Sequence, residues 1–265
     1  VRFPSALIGV LAVLATYLMV YELFKNKKIA LLSAFFLCIS PWHLQFSRVA
    51  FETNSAIFFS VFGTFAFLKA TRSENKKIAI WLGIAALAFG LNLFMYHNAR
   101  VFIPIFSLAL LVPFREFLLQ NKKYLVVPAA ISIIFIIFLI PIIFSISGQL
   151  RFRGTAIFFD QSPVFKSADL IEEDRKLNQE LIGRILHNRR FIYIPILVDN
   201  YLSHLKPTFL FFTADMERHH APQMGLLYLW DLPFILAGIY FLISKKLPGY
   251  SKVIVLWWFL TAPIA

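Results

Sequence analysis

The chain alternates long apolar runs with short polar breaks. Seven runs come close to the roughly 20 residues a helix needs to cross a bilayer: residues 3–21, 29–47, 53–68, 78–99, 101–119, 124–147 and 226–244. An eighth begins at 253 and continues to the last residue. Pro4 suits the first turn of the first helix, where its missing N–H costs nothing. Pro41 is expected to break the second run near its exit. The pattern predicts an all-α fold, a polytopic transmembrane helical bundle of about eight spans, the last incomplete. Between the sixth and seventh runs lies one long polar stretch, residues 148–225. Within it, Asp169 and Glu172 are spaced like a capping box. Leu170, Ile171, Leu177, Leu181, Ile182, Ile185 and Leu186 then recur at helical spacing, so an amphipathic helix is expected near 169–188. Residues 191–212 are apolar but interrupted by Asp199, His204, Lys206 and Pro207, and read as a segment lying on the membrane surface. The chain therefore divides into helices with short outer loops (1–147), a long loop with amphipathic helices (148–225) and C-terminal helices (226–265).

Composition supports this reading. Hydrophobic residues make up 59% and charged residues only 15%, against about 25% charged in a soluble domain. The single Cys38 excludes an internal disulfide and a cysteine metal cluster. A net charge of +12 could suggest nucleic acid, but the charges are not laid out as a phosphate groove. Nine of the 14 acids fall between Asp160 and Glu217, and ten bases lie in 148–225. The other 16 bases sit mostly in short clusters between apolar runs, as topology signals do. No nucleic-acid partner is expected. The chain starts without Met and stops inside an apolar run, and reads as a fragment.

Those 16 bases assign the sides. Loops 25–28, 69–77, 115–123 and 245–252 hold 13 of them, and the opposite loops hold only Arg2, Arg48 and Arg100. By the positive-inside rule the first set is cytoplasmic, and 1–4, 40–54, 95–100 and 148–225 face outward. The unusual polar residues then gather on the outer face. One cluster is His43, Arg48 and Glu52. If 48–54 is helical, Arg48 and Glu52 share a face and can pair. They either snorkel at the interface, or Arg48 binds a phosphate while Glu52 binds a metal or orients an acceptor. A second cluster, Tyr96-His97-Asn98-Ala99-Arg100, follows a charge-free run. Arg100 has no local acid and reads as an anion site or an interfacial anchor. A third holds Asp215, Glu217, Arg218, His219 and His220, either metal ligands or a solvated loop. His219 and His220 would diverge by about 100° on a helix, which counts against one shared ion. There is no GxGxxG, Walker motif or zinc spacing. Asp231, one turn into the seventh run, reads as structural or interfacial. A proton-coupled transporter would keep ionisable groups near the midplane, and this chain keeps its polarity at one face.

Arg2-Phe3-Pro4-Ser5-Ala6 resembles the head of the second transmembrane segment of the polytopic GT-C glycosyltransferases, in the protein O-mannosyltransferase and aminoarabinose transferase group (glycosyltransferase family 39). Ser40-Pro41-Trp42-His43 with Phe46-Ser47-Arg48 resembles that group's second outer loop, and Tyr96 to Arg100, running into Val101-Phe102-Ile103-Pro104, its next outer junction. Asn200-Tyr201-Leu202, Phe209-Leu210-Phe211-Phe212, Arg218-His219 and Gly225-Leu226-Leu227-Tyr228 are similar to the segment before a later span, and Trp257 through Pro263 to the span after it. The resemblance implies an inverting enzyme of the plasma membrane. It would move a sugar from a polyprenyl-phosphate donor, dolichyl or undecaprenyl, to a hydroxyl of a protein or lipid acceptor on the extracytoplasmic face. It implies phosphate-binding roles for Arg48, Arg100 and His97, and substrate contacts at His43, Tyr96, Asn98, Arg218 and His219. The family's principal acid belongs to an outer loop ahead of Val1, so the fragment alone is expected to be inactive. Glu52 matches a second outer-loop acid or metal ligand only approximately. Relatives differ on metal, so a divalent cation, Mg or Mn, stays open. A transporter or flippase of lipid-linked sugars, and a non-catalytic scaffold, are the competing readings.

Overall fold

The computed structural model describes residues 2–155, 162–176, 188, 191–214, 224–244, 247 and 249–264. Every regular element among them is helical. Local sequence sets the first ends. Helix α1 (Arg2–Phe24) carries Pro4 in its first turn and stops where Lys25 turns left-handed at φ 51°. Asn26 then starts α2 (Lys27–Ile39), its side-chain oxygen accepting the amides of Lys28 at 2.9 Å and Ile29 at 3.3 Å. These are two of the donors a helix start leaves unpaired. Ser40, extended ahead of Pro41, ends α2. Pro41 opens α3 (Pro41–Val49), and the chain bends by 58° between α2 and α3.

Ala50 ends α3 in the left-handed region, at φ 65°, and α4 (Glu52–Ala70) begins two residues later. This corrects the helical reading of 48–54. With a left-handed residue between them, the four-residue spacing of Arg48 and Glu52 carries no helical geometry, and no ion pair joins them among the described residues. The run 78–99 is also not one helix. α5 (Lys76–Met95) stops at an extended Tyr96, and α6 (Ala99–Leu111) opens three residues on. α6 does not continue to 119, because Pro113 has no N–H for the next rung, and a turn leads to the short α7 (Arg115–Gln120).

Next come α8 (Val126–Phe144), α9 (Ile146–Thr155), α10 (Ser162–Lys176), α11 (Tyr193–Ser203), α12 (Leu232–Ser244) and α13 (Gly249–Thr261). Among the described residues α1, α5 and α8 are each long and apolar enough to cross a bilayer, and the bent pair α2–α3 would make a fourth. Asp169 and Glu172 lie inside α10, which starts seven residues earlier, so they do not cap the helix start expected there. Residues 177–187 of the expected amphipathic helix lie outside the described residues.

The chain separates into two compact units, Val1–Leu139 with Pro207–Ala265, and Ile140–Lys206. The second holds α9, α10 and α11, with an exposed Lys206–Asp199 pair at 3.1 Å. In the first, α4 is central: it packs along α5 and α1, while α13 lies on α6. Lipid offers no hydrophobic drive to bring helices together, so close approach rests on small residues. Gly63 of α4 lies against Phe89 of α5, whose Cε1 would stand 2.6 Å from an added Cβ, and Gly90 lies against Phe135 in the same way. Asn92 of α5, fully buried, donates to Ser60 Oγ of α4 at 2.7 Å.

At the lysine-rich end of this unit, Glu22 is 3% exposed. Its carboxylate meets Lys25 Nζ at 2.5 Å, Lys69 Nζ at 3.5 Å and an Arg72 guanidinium nitrogen at 3.2 Å. Arg72 also donates to the Tyr250 hydroxyl at 2.7 Å, and Ser251 Oγ donates to the Leu23 carbonyl at 2.8 Å. The ends of α1 and α4 and the start of α13 are thereby tied together. Replacing Glu22 with Gln strands three cations that remain partly solvated, a loss of about 1–3 kcal/mol, between the surface and buried limits for ion pairs. Thermal unfolding in detergent should show Glu22→Gln well below the parent chain, and Lys25→Met, removing the outermost partner, much closer to it.

Candidate functional site

At the opposite end of the same unit, α3 folds back against α1. Gly9 makes this possible: an added Cβ would collide with Ser47 Oγ and stand 2.9 Å from Ser47 Cβ. Ser47 Oγ donates to the His43 carbonyl at 2.7 Å and reaches Asn54 Oδ1 at 3.4 Å. Asn54, fully buried, donates through Nδ2 to the Ser5 carbonyl at 2.8 Å and to Ser5 Oγ at 3.2 Å. One amide thus joins the outer ends of α1, α3 and α4. His43 is buried against this junction, its ring interacting with the Gly9 backbone and its Nδ1 without a hydrogen-bond partner.

Between α1 and α3 an open hollow of about 480 Å³ remains. Arg2, Phe3, Cys38, His43, Ser47 and Arg48 are among its lining residues. Two guanidinium groups, a hydroxyl and an imidazole around an otherwise apolar wall suit an anionic head with an apolar tail. Guanidinium binds phosphate through paired charge-assisted hydrogen bonds. Of the residues singled out in the sequence, the structure brings His43 and Arg48 together here and adds Arg2. Cys38, in the last turn of α2, is exposed and faces the same space.

The other candidates lie elsewhere. Glu52 is exposed in the first turn of α4, where the helix dipole favours a negative charge, and does not line the hollow. Tyr96, His97, Asn98 and Arg100 form the α5–α6 junction, with the Tyr96 and His97 rings 4.5 Å apart. Arg100 Nε donates to the Leu93 carbonyl at 3.1 Å, capping the last turn of α5, and Arg100 has no acid partner among the described residues. The Ser60–Asn92 bond lies two turns inside Glu52 and one turn inside Tyr96, so both junctions sit at one end of the α4–α5 pair. Asp215, Glu217, Arg218, His219 and His220 lie outside the described residues. Among the described residues no three His, Cys, Asp or Glu side chains gather as metal ligands.

Three contributors were not foreseen. Arg2 read as one of the few bases of the opposite loops, Ser5 as part of an apolar run, and Asn54 was not singled out. A signal was present: Ser5, Gly9 and Ala12 follow one another at helical spacing and are all buried, the small-residue face along which another helix can approach. Gly9→Ala is expected to destabilise the chain by about 1–3 kcal/mol through overpacking. Ser47→Ala in the same chain should recover part of that loss, because it deletes the closest colliding atom. A double-mutant cycle of unfolding midpoints measures the coupling, and additive effects would contradict this contact.

The geometry can be set beside known proteins. The family model described as dolichyl-phosphate-mannose-protein mannosyltransferase matches residues 1–143, more than half of the 265. The matched stretch contains α1 to α7, the hollow and the α3–α4 and α5–α6 junctions. Neither curated proteins nor solved structures gave a match. The helical architecture, the apolar spans and the family match agree, and this chain belongs to the dolichyl-phosphate-mannose-protein mannosyltransferase family of membrane glycosyltransferases.

Proposed function

We propose that the protein transfers a sugar from a polyprenyl-phosphate carrier to a hydroxyl of a protein or lipid acceptor, at the extracytoplasmic face of the plasma membrane and with inversion at the anomeric carbon. The observation that carries this reading is the hollow between α1 and α3, where Arg2 and Arg48 flank an apolar wall at the end of the bundle away from the lysine-rich loops. A lipid-linked donor carries its phosphate at the membrane interface and its chain in the hydrocarbon. The hollow offers cations for the first and apolar surface for the second.

In this reading Arg2 and Arg48 hold the donor phosphate and stabilise the charge that grows on it as the sugar–oxygen bond breaks. The hydroxyl of Ser47 and the buried imidazole of His43 complete the polar side of the pocket. Arg100 and His97 extend the same cationic face at the α5–α6 junction. Glu52, exposed beside the Asn54 clamp, is the second acid, orienting the acceptor or assisting removal of its proton. Inversion follows if the acceptor oxygen attacks the anomeric carbon opposite the departing phosphate.

Cys38 gives a direct test, since it is the chain's one cysteine and faces the hollow. Polyprenyl phosphate should protect Cys38 from alkylation by a maleimide, and inorganic phosphate should protect it far less. Arg48→Ala should weaken polyprenyl-phosphate binding about tenfold or more, the loss of one charge-assisted contact of about 1.5–3 kcal/mol. Unchanged affinity and unprotected Cys38 would refute the assignment. In membranes expressing the protein, Glu52→Gln should lower release of the lipid phosphate without lowering the amount inserted.

A further inference from the structure

A second cavity in the same unit has the opposite chemistry. It runs between α1, α2 and α12, with a volume of about 720 Å³, within the roughly 300–1,000 Å³ of ligand pockets. Its walls are apolar from Phe24 and Leu242 at one end to Phe36 and Phe234 at the other. The side chain with a formal charge among its lining residues is Asp231. Asp231 is 8% exposed. One carboxylate oxygen, Oδ2, accepts the Tyr228 amide at 2.9 Å and so caps the start of the final helical segment before α12. The other, Oδ1, is buried without a hydrogen-bond partner. A cap needs one oxygen, and a second left bare against apolar walls is costly unless a donor reaches it.

The place of this oxygen identifies the donor's level in the membrane. Asp231 precedes α12, and Phe36, one turn from the end of α2, packs on Trp230 at 5.8 Å and on Phe234 at 4.9 Å. Tyr228 and Trp230 stack at 5.6 Å beside it. Trp and Tyr are enriched at the membrane–water interface, and Tyr228 and Trp230 fit that level. The groove therefore has an apolar shaft along the helices and a lone carboxylate at its aromatic end.

We propose that this groove binds one outer-leaflet lipid whose head group carries an ammonium N–H, with an acyl chain along the shaft and the ammonium donating to Asp231 Oδ1. The carboxylate selects against a lipid that presents only phosphate, which separates this groove from the arginine-lined hollow between α1 and α3. A quaternary ammonium has positive charge but no N–H and cannot complete the bond. The inference does not rest on the proposed transferase reaction, and its test needs no turnover.

The purified chain in mild detergent is heated with added phosphatidylethanolamine, phosphatidylcholine or phosphatidylglycerol of identical chains. Phosphatidylethanolamine should raise the unfolding midpoint above the other two by about 2–4 °C. Asp231→Asn keeps an oxygen for the Tyr228 amide and removes the charge, and should abolish that difference. Gly238→Leu should abolish it by filling the shaft, since Gly238 lines the groove and a Cβ added there meets nothing within 4 Å. Equal midpoints for the ethanolamine and choline lipids in the parent chain would overturn the proposal, whether or not the variants fold. A preference that survives Asp231→Asn or Gly238→Leu would overturn it as well.

Discussion

A single carboxylate withdrawn from water organises one end of this bundle. Glu22 closes α1 in a buried position, and that position is tolerable only because cations from its own helix end and from α4 converge on it. A buried charge without partners would cost several kcal/mol, so the ends of α1 and α4 are held in one arrangement by the need to neutralise it. Arg72 extends the tie to Tyr250, bringing in α13 from the far end of the sequence. The arrangement also places the lysine-rich loops together, as an orientation signal read by charge requires.

With that end fixed, the other end can be irregular. Pro41 and the left-handed Ala50 divide the chain into a helix that bends by 58° and a following helix that starts afresh. Backbone breaks in a membrane protein survive where polar groups satisfy them. Asn54 supplies polar contacts beside these breaks, binding Ser5 of α1 while Ser47 of α3 reaches it from the other side. The result is a hollow with cations at its rim, held by hydrogen bonds and by the absence of a side chain at Gly9. Membership of a mannosyltransferase family gives that hollow a chemical context, since its matched segment ends only after these elements are complete.

The hollow between α1 and α3 and the groove between α1, α2 and α12 carry opposite charges. Arg2 and Arg48 line one, and Asp231 lines the other, with α1 contributing its first half to the hollow and its second half to the groove. In a low-dielectric surround a charge is felt more strongly than in water, so each cavity favours a group of opposite sign.

Much of this was legible along the chain because its causes are local. Apolar run length predicts membrane helices, Pro41 lacks the N–H that would carry α2 through it, and the Lys and Arg bias between alternate loops is a property of composition. His43 and Arg48 stood out because polar groups beside apolar runs are costly. What the tertiary structure decided was partnership. The spacing of Arg48 and Glu52 suggested a pair, but the φ of Ala50 separates them. Arg100 read as unsatisfied by an acid, and it spends a donor on the Leu93 carbonyl. Nothing along the sequence singled out Glu22, and only the approach of α4 made it a buried hub. Arg2 became a site residue when α3 folded onto α1. Sequence alone determined which segments leave water and which residues are expensive. Which expensive residue offsets which depends on contacts between helices distant along the chain, and no local period records those.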